Sequence, residues 1–182
     1  MTKKGREIVL GVTGSIAAYK ACDVVRQLRG LGHGVSVILT HEAAQFITPL
    51  SLQALSGRRV HMDMFDLHDG PEIIHTSLAD HADLILIAPA TANVIAKLAH
   101  GLADDLLTCI VLATKAPIVL APAMNVKMYQ HSATQENLAT LKRRRYHLLE
   151  PVVGPLACGY EGIGHLPEVE TIVKVVQRLL RS

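Results

Sequence analysis

The sequence lacks most of the features that mark nucleic-acid-binding proteins. It has no tryptophan, aromatic residues make up 3% of the chain, and the formal net charge is only +2. Proteins that bind nucleic acids usually concentrate basic residues on one surface and stack bases on aromatic rings. The one basic run, from Lys142 to Arg145, is short. We therefore expect no nucleic-acid partner.

Cysteine is scarce, and its placement argues against two common uses of this residue. The three cysteines, Cys22, Cys109 and Cys158, are widely spaced, odd in number and never arranged as Cys-x-x-Cys. This pattern indicates neither a disulfide framework nor a structural zinc site. The sequence also lacks an apolar run of about 18 residues and a signal-like apolar stretch after its charged start. We expect a cytoplasmic protein with no membrane partner.

Short apolar runs that alternate with helical patterns indicate the fold class. Of the 182 residues, 49% are hydrophobic, which is enough for one folded domain over residues 1–182. Apolar runs typical of strands buried on both faces of a parallel sheet occupy residues 7–12, 35–39, 84–88, 117–121 and, more briefly, 146–149. Helical patterns cover residues 16–31, 40–46, 49–55, 91–100, 102–114, 132–145 and 168–181. The alternation predicts an α/β fold, a three-layer Rossmann-like or flavodoxin-like sandwich with a central parallel sheet.

Two long segments, residues 57–76 and 152–167, match neither pattern. The second contains Gly154, Gly159, Gly162 and Gly164. Loops of this length inside a compact domain often bind ligands or close over them. We interpret both segments as candidate binding loops.

Small and hydroxyl-bearing residues follow the four predicted main strands. They lie at residues 13–15, 40–41, 89–93 and 122–125, and the first and third groups open a predicted helix. Ligands of parallel α/β sheets bind beyond the carboxyl ends of the strands, and helix N-termini attract phosphate. Taken alone, Gly14 and Ser15 could simply form a tight turn and a helix cap. Four such groups together favour a phosphate-bearing nucleotide or a flavin.

A few polar residues lie where a functional role has to be weighed against an ordinary structural one. His75 lies just before a change from polar to apolar sequence, which makes it a candidate site residue. Most single histidines, however, lie at the surface or in the core with their ring nitrogens hydrogen-bonded. Asn125 follows a predicted strand, where its carboxamide could bind a ligand carboxylate or form a turn. Cys158 lies between Ala157 and Gly159 in the glycine-rich segment, which is not a typical core position. The histidines and aspartates of residues 61–69 match no metal-binding spacing, so we predict no metal site.

Six stretches of this sequence together resemble the homo-oligomeric flavin-containing cysteine decarboxylases. They are residues 11–20, the segment around His75, and residues 88–93, 101–108, 121–125 and 157–164. They span nearly the whole chain in the family's order, and the Pro-Ala-Met-Asn and Ala-Cys-Gly stretches are the most specific. Two positions depart from the family's usual pattern. Thr91 stands where many relatives have serine, and His165 stands where bacterial relatives have arginine, which bears on how the glycine-rich loop is anchored.

The resemblance implies FMN as a tightly held cofactor. Its site would be formed by Gly14, Ser15, Thr40, Pro89, Ala90, Thr91, Ala92, Asn93, Ala123 and Met124. His75 would be the catalytic histidine beside the flavin, Asn125 would bind the substrate carboxylate, and Cys158 would donate a proton from a closing loop. The family forms trimers, or dodecamers built from trimers, with active sites between subunits.

The implied reaction is the decarboxylation of the cysteine moiety of 4'-phospho-N-pantothenoylcysteine to 4'-phosphopantetheine and CO2, a step of coenzyme A biosynthesis. Oxidation of the substrate thiolate to a thioaldehyde would supply the electron sink that a cysteine carboxylate lacks, and the ene-thiolate left by CO2 would be reduced and protonated. A phosphopantothenate–cysteine ligase domain or protein is the expected partner. We expect the chain to be either a stand-alone enzyme or the decarboxylase domain of a bifunctional protein.

Three other functions remain open from the sequence. A peptidyl-cysteine decarboxylase would share His75 and the Asn125 stretch and differ in residues 152–167. A non-catalytic flavoprotein regulatory subunit is a second alternative, although the acidic tail typical of such relatives is absent. A flavin prenyltransferase is the third, although that class lacks the combination of Pro-Ala-Met-Asn and Ala-Cys-Gly.

Overall fold

A six-stranded parallel sheet forms the centre of the computed structural model, which describes residues 5–65, 73–155 and 161–181. The strand order is β3-β2-β1-β4-β5-β6, and every pairing within this sheet is parallel. The strands are β1 (Glu7–Val12), β2 (Gly34–Leu39), β3 (Val60–His61), β4 (Leu84–Ala90), β5 (Ile118–Pro122) and β6 (His147–Leu148). Because the chain order reverses between β1 and β4, a crevice is expected beyond the carboxyl ends of these two strands.

Helices cover both faces of the sheet, as a buried parallel sheet requires. The α-helices are α1 (Ala21–Gly30), α2 (Pro49–Ser56), α3 (Ile74–His81), α4 (Ala92–His100), α5 (Leu106–Ala113), α6 (Val126–Gln130), α7 (Ser132–Arg143) and α8 (Val169–Leu179). Two short 3₁₀ helices span Ile16–Lys20 and Ala43–Gln45. None of the helices in the described part of the chain has the length and apolar character needed to cross a membrane.

Two hydrophobic clusters lie on opposite faces of the sheet. Successive residues of β1 alternate between them: Ile8 and Leu10 pack with α1 and α8, whereas Val9 packs with the cluster that includes α4 and α5. All seven residues of β4 are buried. The two-sided burial explains why these strands read as continuous apolar runs, and it confirms the predicted three-layer α/β sandwich.

Several predicted boundaries were wrong, each for a local reason. The helix predicted at 16–31 is divided into a 3₁₀ helix and α1 at Lys20–Ala21. The helix predicted at 102–114 begins only at Leu106, because Asp105 caps it. A short helix, α6, was not predicted at all.

The two segments that match neither sequence pattern both contain regular structure. Residues 57–76 include β3 and the start of α3, and residues 152–167 include an antiparallel hairpin of β7 (Val152–Pro155) and β8 (Glu161–His165). β3 has only two residues, too few to show the alternation of apolar and polar side chains by which a strand is recognised. The glycines of β8 interrupt the alternation of apolar and polar side chains that identifies a hairpin.

The turn between α4 and α5 is held by a network around Asp105. Asp105 accepts a hydrogen bond from the Thr108 backbone N–H at 2.8 Å, and the Thr108 hydroxyl accepts one from the Asp105 N–H at 3.2 Å. Lys97 of α4 reaches both Asp105 (3.0 Å) and Asp104 (2.8 Å). Burial opposes ionisation of Asp105, but the bonds from Thr108 and Lys97 outweigh it and lower the pKa of this carboxyl.

We expect Asp105→Ala to lower the free energy of unfolding by about 1–2 kcal/mol, the usual loss for a helix cap. Urea denaturation at pH 7 measures it. Asp104→Ala is the matched control: its side chain is 63% exposed and contacts Lys97 only at the surface, so the loss should stay below about 0.5 kcal/mol.

The Asp105 effect should also depend on pH in a defined direction. Because the folded pKa is lowered, the stabilisation by the charge is present above the unfolded pKa of about 3.9 and is lost as the pH falls through the folded pKa. The stability difference between wild type and Asp105→Asn should therefore fade below about pH 4. A difference that grows on acidification would contradict this assignment.

Candidate functional site

A cavity of about 650 Å³ opens at the carboxyl ends of β1, β2, β4 and β5. This volume is in the range of cofactor and small-molecule sites. Its walls come from the turns after these four strands, from the 3₁₀ helix after β1, from α6, and from the residues around the end of β8. All four groups of small residues predicted from the sequence contribute to it.

Thr13 joins the ends of the two strands that flank the crevice. It is buried, its hydroxyl donates to the carbonyl of Pro89 at 2.8 Å, and the same oxygen accepts from the N–H of Thr91 at 3.0 Å. Thr13 also lines the cavity. The sequence drew attention to the turn but not to this residue, because a threonine after a strand does not by itself reveal a bond across 78 positions.

Gly14, Ser15 and Thr40 meet at the ends of β1 and β2, as the sequence predicts, and all three line the cavity. The Ser15 hydroxyl caps the 3₁₀ helix by accepting from the Ala17 N–H at 3.4 Å. A side chain at position 14 would come within 2.5 Å of the Cβ of Glu42, so glycine is needed for the close approach of the two turns. Hydroxyl groups and a helix N-terminus at one place can bind a phosphate.

The end of β4 supplies the next wall. Thr91 is the N-cap of α4 and accepts from the Val94 N–H at 3.4 Å, and Thr91, Ala92 and Asn93 all line the cavity. The first turn of a helix carries N–H groups without partners inside the helix. Pro89 and Ala90, also predicted site residues, are not among the lining residues.

The carbonyls of Pro89 and Ala90 have structural partners instead. Pro89 accepts from Thr13, and Ala90 accepts from the N–H of Ala123 at 3.1 Å. These two residues therefore do not line the cavity but stabilise its walls through their backbone carbonyls. Ala123 itself lines the cavity beside Met124.

Asn125 stands at the far side of the cavity as the N-cap of α6. Its side-chain oxygen accepts from the Lys127 N–H at 2.8 Å. This bond orients the carboxamide, and Asn125 also lines the cavity. Of the two roles that the sequence left open for Asn125, the structure shows the turn residue, and the ligand contact stays a prediction.

The hairpin β7–β8 closes one end of the cavity through Gly164 and the two residues after it. The Gly164 carbonyl accepts from the Met124 N–H at 3.0 Å, and Gly164 has φ +146°. A side chain there would collide with the Met124 carbonyl oxygen. Glycine is required because the hairpin lies directly against the end of β5.

His75 is not among the residues that line this cavity. It lies in the first turn of α3, which packs against α5 on one face of the sheet. Its Nδ1 is buried and has no hydrogen-bond partner among the described residues. A buried polar atom without a partner calls for an explanation.

Cys158 lies outside the described residues, and so do His68, Asp66 and Asp69. Of the neighbouring acidic residues, Asp63 pairs with His41 at 3.0 Å. Within residues 5–65, 73–155 and 161–181, no three histidine, cysteine or carboxylate side chains come together as a metal site would require.

The cavity as a whole suits a ligand with an anionic end and a flat apolar body. Donor groups gather at the ends of β1, β2 and β4. Ala17, Val94, Ala123, Met124 and Leu166 supply apolar surface along the rest of the wall. The residues present thus fit a flavin mononucleotide, which has both parts.

Comparison with known proteins agrees with this geometry. Residues 1–181 match the protein family described as Flavoprotein. The chain is 49% identical over 173 residues to the coenzyme A biosynthesis bifunctional protein CoaBC of Bacillus subtilis (strain 168), and the match covers 95% of this chain and 43% of that protein. The chain therefore spans less than half the length of the curated relatives it matches.

Two solved structures share the fold over nearly their whole length. One is a PPC decarboxylase mutant complexed with pantothenoylaminoethenethiol, with a TM-score of 0.88, 29% identity, and coverage of 98% of this chain and 100% of that one. The other is the FMN-dependent cysteine decarboxylase SpaF, with a TM-score of 0.84, 32% identity, and coverage of 97% and 98%.

We expect Thr13→Val to lower the free energy of unfolding by about 1–3 kcal/mol, because it leaves the Pro89 carbonyl and the Thr91 N–H without their partner. Thr13→Ser keeps the hydroxyl and is the matched control. Urea denaturation gives the stability, and hydrogen exchange of the Thr91 amide reports the bond itself. A valine variant that keeps both the stability and the amide protection of the serine variant would contradict this role.

Proposed function

The chain belongs to the flavoprotein family, and we propose that it catalyses the FMN-dependent decarboxylation of 4'-phospho-N-pantothenoylcysteine to 4'-phosphopantetheine and CO2. The observation that carries the proposal is the cavity at the ends of β1, β2, β4 and β5, which combines a phosphate-binding corner, an apolar wall and Asn125. The similarity to CoaBC and to PPC decarboxylase supports the same reaction.

We assign the FMN phosphate to Gly14, Ser15 and Thr40, where hydroxyls and a helix N-terminus converge. The ring system would lie along Thr91, Ala92, Asn93, Ala123 and Met124, held from behind by Pro89 and Ala90. When bound, FMN supplies the two-electron redox capacity that the amino-acid side chains lack. The overall decarboxylation is redox-neutral, so it would need no external oxidant.

The chain's own residues would bind, orient and protonate the substrate. Asn125 would donate to the carboxylate, with its orientation maintained by the bond to Lys127. The hairpin β7–β8 would limit the entry of water, which protects the thioaldehyde and the ene-thiolate. Cys158, in the segment between β7 and β8, would supply the final proton.

His75 would act in the site of a second copy of the chain. Within one chain it lies away from the cavity with its Nδ1 unpartnered among the described residues. Ile73, two residues before it, is 63% exposed, and Leu112 of α5, the helix that packs against α3, is 65% exposed. A face of this kind is typical of a protein interface. We therefore propose a homo-oligomer, either a trimer or a dodecamer built from trimers.

The proposal also includes a partner that makes the substrate and a location in the cell. Because the relatives are named as bifunctional proteins more than twice as long as the matched region, we propose a phosphopantothenate–cysteine ligase as the partner, in the same protein or a separate one. A cytoplasmic setting fits a substrate thiol that must stay reduced.

We expect the purified protein to show flavin absorption, to release FMN on denaturation, and to yield one CO2 for each molecule of phosphopantothenoylcysteine. A cysteine-terminated peptide without the pantothenoyl group is the matched control and should release none. Reaction of the peptide alone would support a peptidyl-cysteine decarboxylase instead. Flavin without turnover of either compound would indicate a regulatory flavoprotein, and absence of flavin uptake would overturn the cofactor assignment.

If His75 of one chain completes the site of another, two inactive variants should complement each other in a mixed oligomer. His75→Asn and Asn125→Asp should each bind FMN and each lose decarboxylation. Dissociated, mixed at equal amounts and reassociated, they should recover about one quarter of the wild-type activity, because random mixing restores intact sites at that frequency. No recovery from an oligomer shown by mass to be mixed would mean that His75 and Asn125 act within one chain.

A further inference from the structure

His165, at the end of β8, lies in the cavity wall between two anchored residues. On one side the Gly164 carbonyl accepts from the Met124 N–H, and on the other Leu166 is buried in the core with α1 and α8. The ring also lies against Gly154 of β7, where an added Cβ would be 3.6 Å from the Cδ2 of His165. The position of the ring is therefore fixed by the fold.

One hydrogen bond determines which ring nitrogen carries the proton. Nδ1 lies 3.2 Å from the carbonyl oxygen of Leu166, which can only accept, so Nδ1 is the donor. Nε2 has no hydrogen-bond partner among the described residues. In the neutral ring Nε2 can only accept, and in the protonated ring it becomes a charged donor.

Charged side chains of both signs lie on the elements around His165. Lys20 lines the same cavity from the 3₁₀ helix, and Lys127 belongs to α6, which packs against β8. The opposing carboxylates are Glu42, which lies beside Gly14 at the end of β2, and Glu168, which precedes α8.

Lys20 also interacts electrostatically with a carboxylate of α8. The pKa of the Glu170 carboxyl in the first turn of α8 is lowered by its own backbone N–H, then by Gln27, and also by the ammonium groups of Lys174 and Lys20. Glu170 is thus a further carboxylate that acts on Lys20. Lys20 and His165 both line the cavity.

We propose that His165 is a specificity-determining residue, which binds an oxyanion of the cavity's ligand through Nε2 when the ring is protonated. The inference rests on the proposed function and deepens it, since it names an anionic group as a feature that the site selects. The shared chemistry is a phosphate or carboxylate oxygen, and it can belong to the substrate or to the flavin. Only the protonated ring offers Nε2 as a donor, so the contact makes affinity fall as the pH rises.

The first experiment compares wild type with His165→Gln, which stays neutral, and His165→Arg, which stays charged. KM and kcat are measured from pH 5.5 to 8 with phosphopantothenoylcysteine and with pantothenoylcysteine, and FMN affinity is measured by fluorescence. At pH 6 the KM of the glutamine variant for the phosphorylated substrate should exceed that of wild type by roughly 10- to 100-fold, the size of one charged hydrogen bond. By pH 8 the wild-type KM should approach that of the glutamine variant, while the arginine variant keeps the lower value.

These measurements show whether the oxyanion belongs to the substrate or to the flavin. A KM effect confined to the phosphorylated substrate assigns the substrate phosphate, and an equal effect on both substrates assigns the carboxylate. Weaker FMN binding with unchanged KM assigns the flavin phosphate. The three proteins are compared at the same pH, so the ionisation of the substrate affects all three KM values equally.

A second measurement does not depend on catalysis. Inorganic phosphate is titrated into the histidine-labelled full chain, and the ring signals of His165 are identified by their absence in His165→Gln. Phosphate should shift these signals at pH 6 and not at pH 8. Unchanged KM, unchanged FMN affinity and no phosphate-induced shift would together overturn the proposal. If wild type takes up no flavin and releases no CO2, the proposed function fails, and the phosphate titration alone decides whether the oxyanion contact exists.

Discussion

The cavity depends on one buried hydroxyl group. Thr13 bonds to both the carbonyl of Pro89 and the N–H of Thr91, and so it sets the distance between the ends of β1 and β4. These are the neighbouring strands at which the chain order reverses, where a parallel sheet necessarily leaves a crevice. The same bonds place the first turn of α4 beside the 3₁₀ helix after β1. Anion-binding groups from two helices therefore face one space.

The second constraint is the contact between β5 and the hairpin. The Met124 N–H reaches the Gly164 carbonyl, and glycine at 164 allows the backbones to approach so closely. Gly162 packs tightly on Val126 of α6. As a result, the hairpin, Asn125 and His165 are positioned by one short region of chain. A change that displaces the hairpin would displace Asn125 and His165 together.

The parts of this protein that are governed by local pattern could be predicted from its sequence. Buried parallel strands give continuous apolar runs, and their carboxyl ends meet at one edge, so the sequence alone is enough to group Gly14, Thr40, Thr91 and Ala123. The bond from Thr13 to Pro89 could not be predicted, since it joins positions far apart in the chain. Nor could the different roles of Pro89 and Ala90, whose carbonyls have structural partners while their neighbours line the cavity.

The position of His75 links stability to activity under the proposed function. One chain alone keeps a buried Nδ1 without a partner among the described residues, and it exposes the apolar side chains of Ile73 and of Leu112 on the neighbouring helix α5. Both features cost free energy in an isolated chain: the first is a lost hydrogen bond and the second is unburied apolar surface. Association with another copy would relieve both and would bring the imidazole to a ligand. The same contacts would thus assemble the oligomer and complete the site, so that an isolated chain could bind the flavin and still be inactive.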